Sequence, residues 1–183
     1  MSFLTPICPT GCDTNLPPVD FNYCDPAVEF EEITRIFVAN YDAAALADVE
    51  DLAEWNTRLD NVNDGADLIR YFDVMADLPV PDRSPIDISR KRKVWPPAKF
   101  TINVDIDDVS DLNYEFMRTS QCNQRYRFWY VAGTKIFGGN DGFTADMILD
   151  YKIDRGTQSI HLITGQITWE NQFSNERHDS PFV

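Results

Sequence analysis

Basic residues and histidine are scarce in this 183-residue chain, and their scarcity limits the partners that it can bind. Lysine and arginine total 16 against 30 aspartates and glutamates, which gives a formal net charge of −14 at pH 7. Because such a surface repels phosphates and anionic lipids, we do not expect it to hold DNA stably. The two histidines also leave little material for general acid–base catalysis.

Long uncharged apolar runs are also missing. No stretch approaches the roughly 20 apolar residues that span a bilayer. The N-terminus, MSFLTPICPTGC, lacks the basic and apolar regions of a secretion signal. We therefore expect neither membrane association nor export by that route. Hydrophobic residues still make up 43% of the chain, which suits one packed core at this length.

Catalytic motifs are absent as well. The sequence contains no G-x-S-x-G elbow, P-loop, G-x-G-x-x-G or H-E-x-x-H. The acidic run 105–111 fails the EF-hand pattern, because Ser110 and Phe116 stand where glycine and glutamate are required. We predict that the protein is not an enzyme and carries no catalytic cofactor.

Three of the four cysteines, Cys8, Cys12 and Cys24, lie near the N-terminus. The Cys8–Cys12 turn resembles that of a zinc knuckle, so these three are candidate ligands for a structural zinc ion. A distant residue would complete the site, and the candidates are Cys122, His161 and His178. The second short Cys/His hairpin of most such sites is missing, which favours buried free thiols. A disulfide ranks lower, because nothing indicates an oxidising compartment.

The sequence pattern predicts one β-rich domain between two arms. Residues 1–27 hold five of the eleven prolines, which exclude a helix or a central strand and predict an extended arm. Residues 28–169 form the predicted domain, and residues 170–183 form a second extended arm. The fold class is mainly β (α+β), an antiparallel β-sandwich or rolled sheet with one substantial helix.

Alternating apolar residues predict strands, of which residues 99–107, KFTINVDID, form the clearest. Other predicted strands include residues 31–41 and a hairpin formed by the last two. Helical spacing of apolar residues predicts a helix over about residues 43–60. Prolines bound a long projecting loop over about residues 79–98.

Charges of opposite sign predict contacts between copies of the chain. The loop carries a basic run and a tryptophan, and one flank of the predicted helix is acidic. Complementary patches on one polypeptide favour head-to-tail association, which can close into a ring. The predicted interface residues are Phe3, Leu4, Asp48, Glu50, Asp51, Glu54, Arg90, Lys91, Arg92, Lys93, Trp95 and Phe182.

The stretches IFVANYDAAALADVEDLAEW, KFTINVDIDDVSD and RFWYVAGTKIFGGNDG, within this architecture, resemble ring-forming virion proteins of tailed bacteriophages. These are tail tube and neck or portal-adjacent ring proteins, including those of crAss-like phages, and the resemblance spans about residues 28–183. It implies a homo-oligomeric ring that contacts other virion proteins, in a virion assembled in the host cytoplasm. It also implies a central DNA channel and no active site. Carboxylates lining such a channel would let DNA pass without stable binding.

An alternative function is a carbohydrate-binding or hydrolytic module. A pair of carboxylates could hydrolyse a glycosidic bond, and exposed tryptophans could stack on sugars. The candidates for stacking are Trp55, Trp95, Trp129 and Trp169, although packing is the commoner role of such residues. The two functions predict different assembly states, namely a symmetric ring or a monomer with a deep cleft.

Overall fold

The computed structural model describes residues 32–59, 65, 67–89, 92–122, 125–153 and 161–182. The chain divides into two units, Met1–Phe30 and Glu31–Val183, and all described residues belong to the second. The predicted N-terminal arm, with its candidate interface and zinc residues, lies outside the described residues. The predicted boundaries at residues 27 and 170 stay predictions.

Ten strands and two helices make up the regular structure of the described residues. In chain order they are β1 (Ile33–Asn40), α1 (Leu52–Leu59), β2 (Ile69–Ala76), β3 (Ile86–Ser89), β4 (Arg92–Val94), β5 (Ala98–Ile106), α2 (Asp111–Ser120), β6 (Arg125–Ala132), β7 (Lys135–Phe137), β8 (Phe143–Ile153), β9 (His161–Asn171) and β10 (Arg177–Asp179).

Six of these strands close into an antiparallel barrel. Their order is β1-β2-β5-β9-β8-β6, and β6 pairs back onto β1. The short strands β7 and β10 extend the sheet beyond β6, and β3 pairs only with β4. The prediction of a mainly β fold is therefore confirmed. The predicted sandwich is not confirmed, because β1 pairs on both of its edges and closes the sheet on itself.

Strand β1 is buried on both faces and joins two hydrophobic clusters. Ile36 and Val38 point into the barrel, where they belong to its interior cluster. Phe37 and Ala39 point outward, where they pack in a second cluster with residues of α1 and of the segment before it. Alternate residues of a strand face opposite sides, so this strand needs a cover outside the barrel. We call this cover, with Trp55 and Trp129 at its centre, the outer cluster.

The two ends of the barrel carry different connections, because antiparallel strands alternate in direction. Helix α2 links β5 to β6 at one end, where the tips of β8 and β9 also meet. We call this the α2 end. The connection from β2 to β5, which contains β3 and β4, lies at the opposite end. We call that the hairpin end.

The helix predicted over about residues 43–60 is shorter than predicted. It begins at Leu52 and ends at Leu59, and residues 43–51 are irregular, with a bend at residue 47 and a turn at residues 49–50. The Asn140 side chain accepts a hydrogen bond from the Val49 N–H and donates one to the Ala47 backbone carbonyl. The backbone carbonyl of Asn140 accepts a hydrogen bond from the Leu46 N–H. These tertiary contacts prevent residues 43–51 from forming a helix, although the buried apolar residues of this segment have helical spacing.

The predicted loop at residues 79–98 is not wholly irregular. It contains the hairpin β3–β4, in which Ile86 pairs with Val94 and Asp87 with Lys93. Asp82 and Lys99 exchange backbone hydrogen bonds, which tie the start of this segment to β5. No helix among the described residues is both long and apolar enough to cross a bilayer.

Candidate self-association surface

The β3–β4 hairpin exposes apolar side chains. Ile88 is 60% exposed and Trp95 is 54% exposed, and Val80, just before the hairpin, is 80% exposed. Ile86 and Val94 are also exposed, and they form a cross-strand pair on one face of the hairpin. Large apolar side chains that are exposed together on one short segment commonly mark an interaction site.

The hairpin forms a sheet of its own, outside the barrel. Its two strands hydrogen bond to each other and to no other strand among the described residues. A two-stranded hairpin with few supporting contacts is only marginally stable in water. A surface that covers its apolar residues would therefore stabilise it, which is why we take the hairpin as the candidate interaction surface.

The described part of the basic run, Arg92 and Lys93, lies on β4 of this hairpin. Lys93 on β4 is well exposed and makes a long ion pair of 3.9 Å with Asp87. The backbone of Arg92 is part of β4, whereas Arg90 and Lys91 lie outside the described residues. Exposed charges at 3.9 Å attract each other only weakly, so Lys93 is able to pair with a carboxylate of another chain.

Two of the four predicted acidic interface residues make contacts within the chain, and the interface role of all four stays a prediction. The Glu54 carboxylate is only 19% exposed and pairs with Arg58 at 2.8 Å. It also accepts hydrogen bonds from the N–H groups of Ala47 and Asp48. Glu54 therefore organises the segment before α1.

Glu50 is the second engaged carboxylate. Its Oε1 atom lies 3.5 Å from Nδ1 of His178 and accepts a hydrogen bond from the Asp179 N–H at 3.2 Å. This carboxylate ties β10 to the segment before α1. Asp48 and Asp51 are exposed, and each accepts a hydrogen bond from the backbone N–H two residues later.

The pKa of Glu54 shows the net effect of its surroundings. Burial by itself raises the pKa of this carboxyl group. The amides of Ala47 and Asp48 and the Arg58 guanidinium favour the charged form more strongly, so the pKa falls below the ordinary value. A carboxyl group with a lowered pKa in the folded state stabilises the fold above its ordinary pKa, and that stabilisation is lost as the pH falls through the lowered value.

We expect Glu54→Gln to destabilise the protein at neutral pH by about 1–3 kcal/mol, because one carboxylate oxygen becomes an NH2 group facing N–H donors. The difference from the wild type should shrink as the pH falls through the lowered pKa of Glu54, because the wild-type side chain then also takes up a proton. Urea denaturation at neutral pH and at a series of acidic pH values measures it. A difference that does not change with pH would contradict this role of the charge.

Phe182 also makes contacts within the chain. We predicted it at an interface between subunits, but it packs against the outer cluster of its own chain. Its ring stacks on Phe37 at 4.8 Å and meets Trp55 edge-on at 5.3 Å. Residues 177–179 form β10, which pairs with β7, so this part of the predicted C-terminal arm is bound to its own chain.

Three of the four tryptophans proposed to stack on sugars are buried. Trp55 and Trp129 lie in the outer cluster, and Trp169 lies inside the barrel. Trp169 stacks on Phe100 at 5.2 Å and contacts Phe143 at 4.4 Å. These side chains therefore offer no face to a ligand at the surface, and Trp95 is the exposed tryptophan.

A depression of about 430 Å³ on the outside of the barrel contains two carboxylates, Asp146 and Glu170. It is also lined by Lys99 and Arg125, and Arg125 lies 3.5 Å from Asp146 in an exposed ion pair. This is where the hydrolytic alternative would place its pair of acids. The mixture of charges and the wide opening do not exclude water as a hydrolytic cleft would.

The candidate zinc ligands are not brought together by the described part of the chain. Cys122 is exposed, His161 accepts or donates a hydrogen bond with the Tyr151 hydroxyl at 2.8 Å, and His178 contacts Glu50. No group of three His, Cys, Asp or Glu residues capable of holding a metal occurs among the described residues. Cys8, Cys12 and Cys24 lie outside them.

A second exposed surface at the α2 end was not predicted from the sequence. Leu112 on α2 is 78% exposed, and Tyr114 on α2 and Tyr151 and Ile153 on β8 are also exposed. The rings of Tyr114 and Tyr151 meet edge-on at 5.7 Å, which joins α2 to β8. The exposure of Leu112 depends on which face of α2 packs against the barrel. The spacing of apolar residues in the α2 sequence does not determine that face.

Known proteins do not identify the chain. The family models, the curated proteins and the solved structures to which it was compared gave no match.

Proposed function

We propose that this protein is a structural subunit that associates with copies of itself into a ring around a DNA channel, in the tail tube or neck of a tailed phage virion. One observation carries the proposal, namely the exposed apolar hairpin β3–β4, which has no supporting strand among the described residues. Burying its side chains against a neighbouring copy would remove apolar surface from water and order the hairpin.

The outer face of β5, β8 and β9 supports the channel part of the proposal. This face is mostly polar and carries four carboxylates against two lysines; its exposed residues are Lys99, Asn103, Asp105, Thr144, Asp146, Ile148, Asp150, Lys152, Gln166 and Glu170. Neutral polar groups and carboxylates give DNA few cations to bind, and like charges repel phosphates at short range. We assign this face to the lumen of the ring, where DNA would slide instead of binding.

The association is tested by measuring the mass of the purified protein by light scattering and imaging it by negative-stain electron microscopy. We expect hollow rings built from many 21.0 kDa subunits. The matched variant Ile88→Ser with Lys93→Glu, which we call the hairpin variant, should be a folded monomer, because both side chains are exposed in the monomer.

A second variant controls for the charge change. Asp141 is exposed, and Asp141→Lys should leave the rings intact, because this residue lies in the turn between β7 and β8 and belongs neither to the hairpin nor to α2. A wild-type protein that stays monomeric at high concentration would contradict the proposal. So would a hairpin variant that assembles as the wild type does.

The carbohydrate-binding alternative has less support than self-association. It needs exposed aromatic faces beside a pair of carboxylates, and the acids of the outer depression lie beside Trp169, whose ring is buried. The exposed Trp95 belongs to the hairpin segment, where an apolar side chain contributes to a protein interface as readily as to a sugar site.

A further inference from the structure

We infer that the hairpin of one copy docks on the α2 end of the next copy, so that the interface joins opposite ends of the barrel head to tail. This inference rests on the proposed self-association and names the surface that receives the hairpin. It replaces the acidic flank of the predicted helix, in which Glu50 and Glu54 are engaged within the chain.

Each of the two ends exposes an apolar patch. The hairpin end presents Ile86, Ile88 and Val94, and the α2 end presents Leu112 and Tyr114. Each patch leaves large side chains in water in the single chain, and each would be buried by the other in a head-to-tail contact. Aromatic side chains such as Tyr114 are typical of the centres of such interfaces.

The charges of the two ends are complementary. Among the described residues of the hairpin, Lys93 is an exposed cation whose ion pair with Asp87 is long, at 3.9 Å. At the α2 end, four carboxylates are exposed, namely Asp107, Asp108, Asp111 and Glu115, and Arg118 is the exposed cation of α2. None of the four carboxylates is in an ion pair with another described residue. Such complementarity favours this pairing and disfavours hairpin-to-hairpin contact, which would bring like charges together.

The position of the patches determines the kind of assembly. A contact between two different surfaces of the same chain leaves one free copy of each surface on every dimer, so further subunits can add. The assembly then grows until the rotation between subunits closes a ring, or it continues as a filament. A ring with the barrels arranged end to end meets both requirements of the proposed function, repeated contacts and a closed channel.

A pair of variants distinguishes this interface from every symmetric one. The hairpin variant keeps an intact α2 end. The α2-end variant, Leu112→Ser with Glu115→Lys, keeps an intact hairpin, and both of its altered side chains are exposed. Each variant alone should be monomeric by light scattering. Mixed in equal amounts, they should form a one-to-one dimer that grows no further, because each chain supplies the surface that the other lacks.

The outcomes distinguish the proposed self-association from the proposed role of the α2 end as the receiving surface. If the hairpin variant is monomeric but the α2-end variant still assembles like the wild type, self-association stands and the α2 end is not the receiving surface. A mixture that remains monomeric while the wild type assembles overturns the head-to-tail pairing. A wild-type protein that never assembles overturns the proposed function itself. The dimer of the mixed variants should weaken as salt is added, because part of its attraction is between exposed charges.

Discussion

Replacing Trp55 with alanine should destabilise the protein by about 4 kcal/mol, because large aromatic side chains in a core cost about 3–5 kcal/mol when truncated. Trp55 has no solvent exposure. Its ring contacts Phe37 at 4.7 Å and Trp129 at 5.5 Å, and its Nε1–H donates a 2.8 Å hydrogen bond to the Val49 carbonyl. Truncation therefore leaves a cavity and an unpaired buried carbonyl at the centre of the outer cluster.

Urea denaturation followed by circular dichroism measures this loss. Trp55→Phe keeps most of the packing and loses the hydrogen bond, so it should cost about 1–2 kcal/mol. Trp95→Ala is the matched control, since the exposed Trp95 should change the free energy of unfolding by less than about 0.5 kcal/mol. An equal loss for Trp55→Ala and Trp95→Ala would contradict the assignment of Trp55 to the outer cluster.

The strands could be predicted from the sequence because their side chains alternate. The segment KFTINVDID shows the two faces of β5 directly, and Phe100, Ile102 and Val104 are buried as the alternation requires. The turn at residues 138–142 could also be predicted, and Gly139 and Gly142 in it have positive φ angles of 62° and 65°. The closure of the barrel could not, because it depends on a long-range pairing of β1 with β6.

The helix predicted over about residues 43–60 shows that helical spacing of apolar residues does not by itself establish a helix. Ala43, Leu46 and Val49 recur every three residues and are buried, so they satisfy a helical pattern without forming a helix. The deciding interaction comes from Asn140, about 90 residues away in the chain. Because residues 43–51 are not helical, Asp48, Glu50 and Asp51 are exposed but do not lie on one flank of a helix. The N–H groups of Ala47 and Asp48 have no helical acceptor in this irregular segment, and they donate hydrogen bonds to the Glu54 carboxylate instead.

The candidate interaction surface was predicted in part. The charges of the basic run and Trp95 identified the projecting segment, because charge and prolines are visible in the sequence. The proposed receiving surface was not identified, because the sequence does not show which apolar side chains of α2 face the solvent. Whether a helical side chain faces the core or the solvent depends on how the helix meets the barrel, which only the tertiary structure shows.

Replacing Gly165 with alanine should destabilise the protein by about 3 kcal/mol, although glycine to alanine changes in strands are usually favourable or neutral. Gly165 lies in the middle of β9, in register with Val104 of β5 and Leu149 of β8. A Cβ atom at this position would overlap the Ile148 carbonyl oxygen and would lie 2.7 Å from Cδ2 of Leu149. Because the obstacle includes backbone, the strands would have to move apart, and overpacking of this kind costs about 1–3 kcal/mol or more.

Gly65→Ala provides the matched control for this substitution. The nearest atom to a Cβ at Gly65 is the Asp67 nitrogen at 4.0 Å, so alanine fits and the change should lie within about 0.5 kcal/mol of the wild type. Thermal unfolding of the two variants side by side separates the clash from the intrinsic preference of glycine. If Gly165→Ala were as stable as Gly65→Ala, β8 and β9 would have to lie farther apart than the barrel described here allows.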